Sequence, residues 1–174
     1  MQEVEAQSPK PDRRAVRKRN ATAVGLKTIL IAQLALGACE PFPRDPEGTL
    51  ERATSGTLRV GATEAPPWLV READASASGP EAELIEAFAR SIDAQIEWRW
   101  CYDDAHLHRL ERYELDLAAG GLRADSPWKT RVTLTRPWRV DDEMERVLAV
   151  PPGENGMLVA LERLIESRRH ASRR

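Results

Sequence analysis

Leu58-Arg59-Val60-Gly61-Ala62-Thr63, followed by Glu64-Ala65-Pro66-Pro67-Trp68, is the stretch on which the fold turns. Leu58, Val60 and Ala62 alternate with Arg59, Gly61 and Thr63, the two-residue period of a strand. Pro66-Pro67 supplies no N–H donors and ends it. Gly79-Pro80 then opens a helix, with Glu81 and Glu83 in its first turn where the macrodipole favours negative charge. Leu84, Ile85, Phe88 and Ile92 recur at helical spacing, so this helix is expected to lay one apolar face on a sheet.

Further along, Gln95 to Trp100 alternates Ile96, Trp98 and Trp100 with Gln95, Glu97 and Arg99, as a half-buried strand does. Asp103 or Asp104 caps a short helix bearing Leu107 and Leu110, and Leu115-Asp116-Leu117-Ala118-Ala119 forms a compact apolar strand that Gly120-Gly121 stops. Val132 to Leu134 and Met144 to Val150 are the remaining strand candidates. A final helix starts at Asn155 and carries Met157, Leu158, Leu161, Leu164 and Ile165 on its apolar face. Strands alternating with helices predict an α/β domain with a mainly parallel sheet flanked by helices. It is expected over residues 57–168, with a basic tail at 169–174 read as helix end and solvated fringe.

Upstream, a polar, Arg- and Lys-rich stretch leads into the apolar run Ile29 to Leu36, too short for a permanent membrane span. Residues 1–38 therefore read as an export signal. Leu36-Gly37-Ala38-Cys39 resembles the lipobox of bacterial lipoproteins, in which Cys39 would carry the lipid anchor; the alternative is ordinary cleavage beside a small residue. Either way the expected location is outside the cytoplasm. Glu40 in place of an Asp after Cys39 points faintly to the outer membrane. Residues 39–56, rich in Pro, Gly and charge, suit a tether.

With 26 Lys and Arg against 28 Asp and Glu, the chain gives no global electrostatic reason to expect a nucleic-acid partner. His106, His108 and His170 are not spaced to share a metal, and no cofactor is expected. Cys101 reads as a small buried residue beside Trp100, since Cys39 would be lipidated and nothing around Cys101 stabilises a thiolate.

Taken together, the Leu58-Arg59-Val60-Gly61 strand, the Ala65-Pro66-Pro67-Trp68 turn, the helix from Gly79 to Ile92, the strand from Gln95 to Trp100 and the Asp116-Leu117-Ala118-Ala119-Gly120 strand end resemble, in that order, family 3 extracellular solute-binding proteins. The resemblance runs from about Thr57 to Trp138. It implies a periplasmic-binding-protein lobe that takes up a small solute, an amino acid or organic acid, beside a membrane transporter. Family members have two lobes; here the strand ending at Val150 passes through Pro151-Pro152-Gly153 straight into the last helix, so a single lobe is expected.

In open α/β sheets ligands sit beyond the carboxyl ends of the strands. Two loops there supply the candidate ligand contacts. Pro67 and Trp68 offer an apolar wall, and Gly120, Gly121, Arg123 and Asp125 bring backbone and charge to a ligand. Asp125 or Ser126 caps a turn at Pro127. The resemblance implies an Arg in that turn gripping the ligand carboxylate, but the position holds Trp128, which cannot form a charged fork. Arg123, Lys129 or Arg131 is then left to supply the charge, and Trp68 and Trp128 could form a stacking platform. No nucleophile with a base and no paired carboxylates are legible, so no enzymatic activity is expected. A one-sided cleft cannot bury the roughly 70–90% of a ligand that tight sites bury. The competing expectation is therefore a periplasmic protein–protein interaction module that has lost its small ligand.

Overall fold

The computed structural model describes residues 45–171; the expected signal, Cys39 and the first part of the expected tether, residues 39–44, lie outside them. In chain order the elements are α1 (Thr49–Ala53), β1 (Thr57–Ala62), β2 (Val70–Arg71), β3 (Ala77–Ser78), α2 (Pro80–Ser91), β4 (Gln95–Trp100), α3 (Ala105–Glu111) and β5 (Leu117–Ala119). A single 3-10 turn (Pro127–Thr130) then precedes β6 (Thr133–Leu134), β7 (Arg139–Asp141), β8 (Met144–Arg146), β9 (Ala149–Val150) and α4 (Asn155–Ala171).

The main sheet has the order β4-β1-β5-β9-β6. Its first three strands are parallel, with Val60 opposite both Trp98 and Leu117. The last two run antiparallel to their neighbours, with Ala118 opposite Ala149 and Thr133 opposite Val150. Because successive side chains leave a strand on opposite faces, the sheet feeds two cores. Leu58, Val60, Ala62, Leu117, Ala119 and Val150 meet Leu84, Ile85 and Phe88 of α2 and Met157, Leu161 and Ile165 of α4. Ala118 and Ala149 meet Leu107 and Leu110 of α3, Leu115, Trp128 and Val132. Burying each large apolar side chain contributes about 1.5–3 kcal/mol, so the helical stripes read from the sequence hold the layers together.

Opposite the strand-end loops, Asp116 closes the sheet. Its carboxylate accepts Arg59 N at 2.8 Å and Nη2 at 2.6 Å, and Arg52 Nη2 of α1 at 2.5 Å. Burial opposes its ionisation, but these donors outweigh burial and hold the carboxyl below its ordinary range.

Three elements differ from the sequence expectation. Helix α1 falls within the stretch expected as tether, and buries Thr49 and Ala53; five residues are too few to show a period. The expected strand Met144 to Val150 divides in two. Its alternating half joins a separate β7–β8 hairpin, whose turn residues Asp142 and Glu143 both have positive φ. Its wholly apolar half, Val147 to Val150, is buried and ends in β9. The short β2–β3 pair follows the Pro-Pro-Trp loop. Between Trp138 and β9 only the β7–β8 hairpin intervenes, where a second lobe was expected to be missing.

Candidate functional site

At the carboxyl ends of β1, β4 and β5 three loops converge. Gly120 has φ +133, and a Cβ there would lie 2.5 Å from Thr63 O, so the bend after β5 can press on the chain leaving β1 only as glycine. A Cβ on Gly121 would lie 3.0 Å from Ala65 Cβ and 3.7 Å from Arg146 Nη1. The Pro-Pro-Trp loop and the Gly-Gly bend thus lie side by side. The loop is tightened by Trp68 N–H on Ala65 O at 2.9 Å, and its Pro66–Pro67 peptide is cis.

Under this junction sits Glu81, fully buried in the first turn of α2. Its backbone N–H donates to Trp68 O at 3.0 Å, and its Oε2 accepts Gly121 N–H at 3.0 Å. Oε1 is buried and has no hydrogen-bond partner among the described residues. Burial pushes the carboxyl up to about 7, against the opposing pull of the Gly121 and Gly120 amides and the Arg146 charge. One residue therefore binds both loops from inside, the Pro-Pro-Trp loop through its backbone N–H and the Gly-Gly bend through its carboxyl, toward which the Gly121 amide is turned.

Above the junction, the Trp68 ring meets Trp138 edge-on with centroids 6.2 Å apart. The guanidinium carbons of Arg139 and Arg146, both from the β7–β8 hairpin, stand 4.8 and 4.3 Å from its centroid. Arg146 is gripped by Asp141 through Nε and Nη2, at 3.0 and 3.2 Å.

Beyond β1 and β4 the same edge opens into a cavity of about 320 Å³ lined by Thr63, Glu64, Arg71, Trp100, Cys101, Tyr102 and Asp103. Tyr102 is 85% exposed. Trp100 is held from behind, its Nε1 donating to Ala75 O at 2.8 Å and its ring 5.7 Å from the Arg71 guanidinium. Thr63 Oγ1 lies 3.0 Å from Nδ1 of buried His106, whose pKa burial lowers. The same Nδ1 lies 3.1 Å from Asp103 O, so it is shared with a carbonyl rather than free to accept a proton from Thr63. A larger and more open cavity of about 580 Å³ is lined by Pro80, Leu84, Trp138, Arg139 and Ile165, and so adjoins the aromatic pair at the junction.

The sequence-derived contacts divide into two groups. Pro67, Trp68, Gly120 and Gly121 come together, and Arg123 joins them through a backbone bridge to Arg146 while its side chain pairs with exposed Asp125 at 2.7 Å. Trp128 lies instead in the second core, its Nε1 donating to Asp104 at 2.9 Å and its ring edge-on to His108. It is not in contact with Trp68; Arg131 covers it at 4.6 Å and pairs with Glu111. Ser126, not Asp125, caps the turn, its Oγ accepting Trp128 N–H. Sequence reasoning missed Glu64, Arg71, Tyr102, Asp103 and Arg146. Tyr102, two residues past the end of β4, was the one available signal.

No family model matches the chain. Among solved structures, a point mutant of domain 1 from TmArgBP, the T. maritima arginine-binding protein, in its arginine-bound form, superposes with a TM-score of 0.64 at 16% identity, covering 70% of this chain and 98% of that one. The chain has the fold of a single solute-binding-protein lobe. The family 3 resemblance in the sequence is thus met in the fold. The lobe also matches the ancestral amino acid-binding protein AncCDT-1, a precursor of cyclohexadienyl dehydratase, with a TM-score of 0.62 at 12% identity over 70% of this chain and 94% of that one. A curated relative, the membrane-bound lytic murein transglycosylase F of Thiobacillus denitrificans, is 36% identical over 101 residues, 58% of this chain. The lobe spans only 20% of that protein's length.

Proposed function

We propose that this protein is an exported, membrane-tethered solute-binding module that takes a small amino-acid-type solute at the strand-end cavity and serves a membrane transporter. The cavity beyond β1 and β4 carries the reading. Its volume of about 320 Å³ suits a small solute, at the low end of the roughly 300–1,000 Å³ typical of ligand pockets. Glu64 and Asp103 offer carboxylates to an ammonium group, Arg71 offers a cation, and Tyr102 presents an aromatic face that nothing in the lobe covers. That domain 1 from TmArgBP occurs in an arginine-bound form supports one lobe being sufficient to hold a solute. The tether and the periplasmic location rest on Leu36-Gly37-Ala38-Cys39 and the preceding apolar run.

The test is a thermal-shift screen of the purified chain against the amino acids and small organic acids. Stabilisation by at least one of them is expected, and it should be reduced at least tenfold in apparent affinity by Tyr102→Ala. A flat screen sinks the proposal. The 36% match to a murein transglycosylase favours a second reading, in which the lobe serves a murein-acting protein and its solute is a murein-derived peptide. Adding such peptides to the screen separates the two: stabilisation by peptides and not by free amino acids selects the second.

A further inference from the structure

Strand β4 ends the main sheet and, among the described residues, has a strand neighbour on one side only. Its bonds to β1 fix which backbone groups face outward. Gln95 N–H donates to Gly56 O at 2.9 Å and Cys101 N–H to Ala62 O at 2.8 Å, so the odd-numbered residues of this run face β1. The N–H and C=O groups of Ile96, Trp98 and Trp100 therefore point out of the sheet, and no backbone bond reaches them among the described residues. Open edges are ordinarily blunted by proline, a bulge or brevity. Gln95 to Trp100 has no proline, keeps an unbroken register and runs for 6 residues.

What the edge carries instead is one negative and one positive charge, whose order selects a partner. Glu97 and Arg99 share a face of β4 and lie 2.9 Å apart, both partly exposed. A second β4 laid antiparallel about a two-fold axis at Trp98 sets Glu97 opposite the partner's Arg99 and Arg99 opposite the partner's Glu97, attractive at both places. In that register the outward-facing residues fall on hydrogen-bonded positions. Trp98 meets the partner's Trp98 and Ile96 meets the partner's Trp100, each pair exchanging two N–H···O=C bonds. A slip of one residue would set apolar side chains against charged ones, and a slip of two, or a parallel pair in register, would oppose like charges. On the other face, Ile96, Trp98 and Trp100 are partly buried against the first core, with the two indoles stacked at 6.1 Å, and the partner continues that apolar row.

We infer that two copies of this chain pair through β4, antiparallel about Trp98, so that one continuous sheet crosses both lobes. The pairing also sets the amino end of the partner's β4 beside the carboxyl end of this one. The partner's Ala94 and Gln95 then lie alongside Cys101 and Tyr102, which line the strand-end cavity. Each lobe thus receives from the other a second wall for its one-sided cleft; this consequence rests on the solute-binding reading, and the pairing does not. Asp93 and Asp103 are the like charges of the contact, and positive φ turns the chain away at both, confining the pairing to β4.

Sedimentation velocity of the full chain, without solute, tests the pairing. Strands of this length make a small interface, so a reversible dimer with a dissociation constant on the order of micromolar is expected. Glu97→Arg and Arg99→Glu should each be monomeric, because each sets like charges opposite one another. Mixed in equal amounts the two should dimerise again, as should the chain carrying both substitutions, since the charges are then complementary once more. Hydrogen exchange on the parent chain needs no substitution: protection of the Ile96, Trp98 and Trp100 amides should rise with protein concentration, while Gln95 and Cys101, bonded within the lobe, stay protected throughout. A parent chain that remains monomeric, single variants that dimerise as the parent does, or reversed charges that fail to restore the dimer overturn the pairing and leave solute binding standing. With the dimer confirmed, solute affinity should fall about tenfold in the single variants and recover in their mixture; equal affinity overturns the shared wall, and a dimer that binds no solute sinks the solute-binding reading alone.

Discussion

Two buried carboxyl groups, one at each end of the parallel strands, are treated in opposite ways. At the amino ends Asp116 has both oxygens bonded, by the Arg59 backbone and guanidinium and by Arg52, and it is held ionised. At the carboxyl ends Glu81 has one oxygen on Gly121 N–H and the other without a hydrogen-bond partner among the described residues, and burial raises its carboxyl to about 7. Native folds satisfy nearly all buried polar atoms, so the difference separates an end built for cohesion from an end where polar capacity is held in reserve. The reserve lies where ligands approach an open α/β sheet.

The contrast can be broken most forcefully at Asp116. Removing it in Asp116→Ala leaves Arg59 and Arg52 facing an empty site. About 3 kcal/mol of stability should be lost in urea unfolding, the low end for a broken buried pair because both arginines keep some contact with solvent. A loss under 1 kcal/mol would show that the amino end is not held by this carboxylate.

Opposite pH signatures sharpen the comparison. The folded value of Glu81, about 7, lies above the ordinary 4.5, so the folded chain keeps a proton that the unfolded chain releases between them. Its contribution is complete below about pH 4.5 and is lost as pH rises toward 7, a fall of roughly 3 kcal/mol across the window. Asp116, with a depressed value, contributes above its ordinary range and loses that contribution only as pH falls through its folded value. Urea midpoints at pH 5 and pH 8 should therefore differ in the parent chain, and the difference should change in Glu81→Gln by the share that Glu81 contributes; Asp45, raised to about 6 by burial, and His106, lowered by burial, titrate in the same window in both proteins. Equal slopes in the two proteins would refute the assignment to Glu81.

The smallest expected effect on stability is at Tyr102. Exposed as it is, Tyr102→Ala should change stability by no more than about 0.5 kcal/mol, so the affinity loss expected of it reports on binding rather than folding.

Much of the scaffold was legible in the sequence because period and burial coincide there. The alternation in β1, the stripe Leu84, Ile85 and Phe88 in α2 and the face of α4 all lie in the core as their spacing requires. Helix α1 and the hairpins were not legible: a one-turn helix and two- or three-residue strands are shorter than any period that could announce them. At the site, Trp68 and the two glycines could be placed because proline and glycine punctuate the chain where strands end. Arg146 could not be placed, since its position depends on a hairpin turning at Asp142 and Glu143, whose positive φ is uncommon for residues other than glycine, less so for Asp than for Glu. The roles of Glu81 and Trp128 were obscured for a different reason. A first-turn glutamate is ordinary helix chemistry, and only the tertiary approach of Gly121 to Glu81, and of Asp104 to Trp128, assigns them their partners.

The tip of that hairpin carries a last consequence. Asp142 and Glu143 are linked to the rest of the lobe through two short paired strands whose core-facing work is done elsewhere. Loop tips of this kind accept inserted chain readily, and lengthening a connection adds closure entropy only slowly. The lobe thus possesses a socket: inserted chain at Asp142 would leave the five-stranded sheet and its two cores free to fold as they do now.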